Sequence, residues 1–208
     1  VHAHKGTTRW AITSRGRACP SSQPDQGINA IYHMGRILAQ LETFADELMQ
    51  RPGDPLLGPA TLSVGRINGG VSVNTVPDQC VIEVDRRLIP GENATEAQSE
   101  VNSYLRSGLS SDITFEQSDL WLVCPPLAPT GSEELKQRLG HAIDSVVGRH
   151  AIEAVPYGTD ASTLAESGLP SVVFGPGSIE QAHTRDEFVD LSQVEQASEI
   201  LFHFATEA

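Results

Sequence analysis

Between Thr7 and Ser14 the chain alternates: Thr8, Trp10 and Ile12 fall on one side, Arg9, Ala11 and Thr13 on the other. Successive side chains of a strand point to opposite faces, so this pattern predicts a strand. Gly16 to Gly27 is rich in Gly, Pro and Ser, which is loop chemistry. The period then changes. Ile31, Met34, Leu38, Leu41, Ala45 and Leu48 recur at intervals of three and four, with Arg36, Glu42 and Glu47 off the stripe. That predicts one long amphipathic helix, which Pro52-Gly53-Asp54-Pro55 stops. Two strands are expected next, Thr61 to Ile67 and Cys80 to Leu88. In the second, Cys80, Ile82 and Val84 share one face while Glu83, Asp85 and Arg87 share the other. A helix over Thr95 to Arg106 and a short strand over Ile113 to Glu116 complete the order β-α-β-β-α-β. This is the split βαβ plan of a ferredoxin-like α+β domain, assigned to residues 1–118.

Pro125, Pro126 and Pro129 interrupt regular structure and mark a boundary, so residues 119–208 form a second unit. There the pattern predicts a helix from Ser132 to Val147, a strand from Ala151 to Val155, a helix from Ala161 to Glu166 and a strand from Ser171 to Phe174. A last helix runs from Leu191 to about Ala205, with Asp190 and Gln193 spaced as a capping box. The alternation is α/β in character, but a sheet this small leaves its faces bare, so the unit is expected to be part of a larger domain.

Charge narrows the partners. Twenty-seven acidic against fourteen basic residues give a formal charge of −13, which disfavours nucleic acid and anionic membrane surfaces. No apolar run approaches the ~18 residues of a membrane helix, and no secretory signal pattern is present. Three cysteines, Cys19, Cys80 and Cys124, are too few and too widely spaced for a disulfide framework. A reducing compartment, the cytoplasm, is the expected location.

Candidate chemistry is sparse. Gly158-Thr159-Asp160 precedes a short helix, a place where backbone N–H groups and a hydroxyl suit a carboxylate; the plainer reading is that Thr159 or Asp160 caps that helix. Gly175-Pro176-Gly177 follows a buried-looking strand, and His183 stands on the polar loop beyond it. His183 is a candidate metal ligand or base, with Asp186 or Glu187 behind it. Arg87 reads by default as a surface ion pair, Asn74 as a turn residue, and Lys5 lies just before the first strand. No GxSxG elbow and no phosphate-binding loop occurs.

Taken together, the stretches AHKGTTRW, GRACPSSQPDQGINAI, VGRINGGVSVNTVPDQCVIEVDRRLIPGE, YGTDASTLAESGLPSVVFGPG and AHTRDEFVDL resemble the acetylornithine deacetylase, succinyl-diaminopimelate desuccinylase and carboxypeptidase G family. The resemblance spans nearly the whole chain. It implies a dinuclear zinc amidohydrolase, cobalt or manganese being able to replace zinc, that cleaves N-acyl amino acids or small peptides. It implies a ferredoxin-like lid through which the enzyme forms a homodimer, followed by the C-terminal part of an α/β zinc domain. By position, His183 matches a zinc ligand. Lys5, Asn74, Arg87, Gly158 and Thr159 match residues that reach the substrate.

Two departures stand out. The HxD pair, the Glu-Glu pair and a further acidic ligand of the family have no counterpart here, so the general base is expected upstream of Val1 and the chain alone is expected to be inactive. The lid loop of the family carries a histidine where this chain has Pro20. The rival reading is a non-catalytic protein whose ferredoxin-like domain serves dimerisation or small-molecule sensing.

Overall fold

The computed structural model describes residues 1–206. The chain enters through β1 (Ala3–His4) and passes directly into β2 (Gly6–Arg15). After the ribbon strand β3 (Cys19–Pro20) and one 3-10 turn comes the long helix α1 (Ala30–Gln50). Then follow β4 (Thr61–Gly69), the short β5 (Thr75–Val76), β6 (Gln79–Leu88), α2 (Ala94–Gly108) and β7 (Phe115–Gln117). The main sheet is antiparallel in the order β4-β6-β2-β7, with both helices between its sequence-adjacent strands, as the β-α-β-β-α-β pattern requires.

Register follows from burial. Thr8, Trp10, Ile12 and Ser14 of β2 and Cys80, Ile82, Val84 and Leu88 of β6 point inward, and a slip of one residue would expose them all. Met34, Ile37, Leu41, Phe44 and Leu48 of α1, with Val101 and Leu105 of α2, close the core over them. The buried stripe of α1 is rotated from the one read in the sequence. Ala30, His33, Ile37 and Phe44 face inward, whereas Ile31 is exposed and Leu38 and Ala45 are only partly covered. Ile37 and Phe44 are larger than Ala45 and lie one position round the helix, so they set the buried centre. Asn29 and Asn93 start the two helices, each accepting hydrogen bonds from two free backbone N–H groups.

Beyond β7, β8 (Leu122–Cys124) returns to the same edge of β2, pairing Thr7 with Cys124. The rest comprises α3 (Glu133–Val147), β9 (Ala154–Val155), α4 (Ala161–Glu166) and α5 (Leu191–Thr206). β9 pairs in parallel with β1, and α3 packs on α5. The strand expected over Ser171 to Phe174 does not form: only Val173 exchanges backbone hydrogen bonds, at 2.7 and 2.9 Å, with Val1. One residue pair does not make a ladder, and the expected strand from Ala151 shrinks to two residues for the same lack of partners. The capping box of α5 is half formed. Asp190 Oδ1 accepts from Ser192 N, while Gln193 turns away to accept from Gly177 N at 2.8 Å. Among the described residues no helix is long and apolar enough to cross a membrane.

Candidate functional site

The two chain connections between the lid sheet and the second part cross at Gly6. A Cβ there would stand 2.6 Å from Cys124 O and 2.7 Å from Pro126 N, so only glycine permits the approach. Around this crossing the structure gathers the basic and loop residues singled out above. Lys5 is buried and its Nζ donates to Pro59 O at 2.6 Å. Its pKa is pushed down, chiefly by burial and further by Arg86 and Arg87, against the pull of Glu92. Arg87 donates from Nη1 to Thr7 Oγ1 (2.9 Å) and from Nε to Asp85 Oδ1 (2.7 Å), and the other oxygen of Asp85 accepts from Arg9 Nε (2.6 Å). Arg87 is thus held in a defined pose on the polar face of β6, in an ion pair whose two side chains are 31% and 26% exposed.

Gly158 lies against the same spot. Its Cβ position is 3.2 Å from Cys124 Sγ, 3.4 Å from Lys5 O and 3.7 Å from Thr7 Oγ1. Thr159 is tied to a residue the sequence reading passed over. Its N–H (3.3 Å) and its hydroxyl (3.0 Å) both reach Nε2 of His4, a fully buried side chain. The other ring nitrogen, Nδ1, lies 3.0 Å from Lys5 O. A carbonyl only accepts, so Nδ1 carries the proton and Nε2 offers its lone pair to Thr159. Burial lowers the pKa of His4 and favours this neutral form. Thr159 Oγ1 also accepts from the N–H of Ala161, the first residue of α4, at 3.3 Å. The free hydroxyl and N–H expected at Thr159 are therefore both engaged within the chain; Asp160 makes no side-chain cap.

Lys5, Arg87, Gly158 and Thr159 come together; Asn74 and His183 do not join them. Asn74 is exposed on the turn beyond β4, where its carbonyl accepts from Ser21 N at 3.0 Å and its side chain accepts from Ser72 Oγ. That is the far end of the lid, roughly 30 Å from Gly6 along strands rising ~3.4 Å per residue. His183 is exposed on the loop before α5, at φ 62, in the left-handed region that side-chain-bearing residues seldom occupy. Glu187 does not back its ring as expected: the carboxylate accepts from His183 N at 2.9 Å, bracing the backbone bend instead. An open cleft of about 600 Å3 separates Val155 and Tyr157 from the Gly175 to Ala182 loop. Among the described residues no group of three or more His, Cys, Asp or Glu side chains converges, so by themselves they do not fit a zinc centre.

Residues 2–112 match the model of the peptidase dimerisation domain. The chain belongs to the M20 family. It is 30% identical over 210 residues to the acetylornithine deacetylase of Proteus mirabilis, covering 97% of this chain and 51% of that protein. With the acetylornithine deacetylase of Edwardsiella ictaluri it shares 34% over 197 residues, covering 91% and 49%. The chain spans about half the length of the curated relatives it matches. Two solved structures share its fold. The aminopeptidase PepT of Bacillus cereus superposes with a TM-score of 0.72 at 17% identity, over 98% of this chain and 52% of that one. An amidase of the hydantoinase/carbamoylase family from Burkholderia vietnamiensis does so with 0.68 at 20%, over 98% and 48%. At such identities the likeness speaks for the fold alone.

Proposed function

We propose that this chain is the lid and the C-terminal part of the catalytic domain of a metal-dependent amidohydrolase that cleaves the amide bond of N-acyl amino acids or small peptides. The observation that carries the reading is that Arg87, held through Thr7 Oγ1, and the Gly158 backbone meet where lid and second part cross, beside the backbone of Lys5, a fixed cation and a close backbone approach that suit a carboxylate. The relatives named above, deacetylases by sequence, point to the same chemistry. Arg87 grips the substrate's carboxylate as a planar fork, Lys5 adds positive potential, and Gly158, on the loop that Thr159 anchors, supplies backbone contact. Asn74, at the far end of the lid, serves the site of a second subunit in a lid-mediated homodimer.

Zinc is the proposed ion, two per complete enzyme; when bound it would polarise the amide carbonyl. His183 is the one ligand assigned to this chain. The other ligands and the general base are assigned to the half of the relatives' length that this chain does not span. The second part leaves Leu164, Leu169, Phe188, Leu191, Leu201 and Phe202 exposed, apolar side chains suited to covering by that other half. Cys19, Cys80 and Cys124 are all free, which agrees with a cytoplasmic location. The reading is tested on the full-length gene product with a panel of N-acyl amino acids, with and without a chelator. Hydrolysis should require metal, and Arg87→Ala should raise KM far more than it lowers kcat. Metal-independent turnover, or an Arg87→Ala enzyme with unchanged KM, overturns it.

A further inference from the structure

We propose that His4 is a positioning residue that holds the Gly158–Thr159 loop in place at the hinge and thereby sets the affinity for the substrate group this loop meets; the inference rests on the function proposed above. His4 joins segments far apart in sequence. Its backbone pairs with Leu127 in both directions, at 3.0 and 3.1 Å, and runs parallel to Val155 in the β1–β9 pair. Its ring donates to Lys5 O, the residue next to the lid, and accepts from Thr159 N and Oγ1. The Thr159 amide therefore has an imidazole lone pair as its partner, with no strand or helix ladder behind it.

The other ties on this residue are weaker. Cys124 Sγ donates to Thr159 O at 3.6 Å, and a thiol is a poor donor. Ser162 Oγ donates to the same carbonyl at 3.0 Å but belongs to α4 and moves with the loop. A buried neutral imidazole needs an acceptor for its N–H and a donor for its bare nitrogen; what sets His4 apart is that the two partners, Lys5 O and Thr159, belong to different segments. Here one tautomer serves both, and the bridge runs from Lys5, beside Arg87 in the gripping cluster, straight to the loop.

Two isosteres separate the roles of the ring nitrogens. In His4→Gln the side-chain oxygen reaches the place of Nε2 and can still accept from Thr159. In His4→Asn the shorter amide reaches only the place of Nδ1. In the full-length enzyme, His4→Asn should raise KM by about 10- to 100-fold with kcat little changed, since a displaced loop weakens binding in ground and transition states alike. His4→Gln should stay near the wild type. A protein that is merely less stable would lose active molecules, hence apparent kcat, and keep its KM. Unchanged KM in His4→Asn, or equal damage in both variants, overturns the proposal.

If the wild-type enzyme hydrolyses no N-acyl amino acid, the proposed function has failed, and His4 is judged on the unmodified 208-residue chain instead. There 15N-resolved spectra of the ring should show Nδ1 protonated and Nε2 bare. A protonated Nε2 overturns the inference, whatever the enzyme does and whether or not a variant folds.

Discussion

Arg86 is fully buried on the face of β6 that carries Cys80, Ile82, Val84 and Leu88. Its Nη2 donates to Glu92 Oε1 at 2.8 Å, and the second oxygen of Glu92 accepts from Ile89 N at 2.9 Å. Nη1 donates to Arg87 O, while Nε has no partner among the described residues. Removing the carboxylate leaves a guanidinium in the interior, so Glu92→Ala should cost about 3 kcal/mol or more of stability. Arg86→Met, which removes the charge itself, should cost clearly less. Urea denaturation of the two variants decides this, and equal losses would count against a buried pair. Strand periodicity alone places Arg86 on the core face, so its position was legible; its charge is what hid it. His4 was not legible at all, because its partners Thr159 and Lys5 O meet it only after the chain folds.

The same histidine gives a pH dependence whose sign is fixed. Burial lowers its pKa in the folded state below the ordinary value of about 6.5. Between the two values the unfolded chain binds a proton that the folded chain refuses. Its contribution is therefore whole above about pH 6.5 and is lost as pH falls below that value. His2 is shifted the same way, so the informative comparison is with His4→Gln. The urea midpoint should drop on acidification from about pH 7.5 to 5.5, and drop less in His4→Gln. Parallel profiles would show that His4 titrates normally.

At the scale of elements, β4 is the open edge of the lid sheet and α1 lies beside it. Gly35, Leu38, Ala39 and Glu42 of the helix and Ser63 and Val64 of the strand line a shallow groove there. An exposed edge invites a second strand, and a two-fold arrangement satisfies both edges at once. With the lid matched as a dimerisation domain, we expect homodimers built on this edge. Ala39→Arg places charge in the groove without touching the core and should convert a dimer to a folded monomer in light scattering. A variant still dimeric would move the interface elsewhere. The lid elements were legible because each carries its own period: alternation in β2 and β6, a three-and-four stripe in α1. The second part was less so. β9 and the Ser171 to Phe174 segment depend on lateral neighbours, and no local pattern reveals whether those neighbours exist.

At the scale of the whole molecule, the proposed substrate-gripping groups lie within this chain and most of the proposed metal centre in the half of the relatives' length that it does not span. Sequence order alone did not reveal that Lys5, Arg87 and Gly158 would meet, since they lie far apart along the chain. The resemblance that paired them by role was what made them candidates. Only the crossing at Gly6, with β8 returning beside Thr7, brings them into one place. The central claim is tested most directly by assaying this 208-residue chain beside the full-length gene product on the same N-acyl amino acids, both with excess zinc or cobalt. The full-length protein should hydrolyse them in a metal-dependent way and the folded chain alone should not. Metal-dependent turnover by the chain itself would contradict that claim, for the chain would then hold a complete centre of its own.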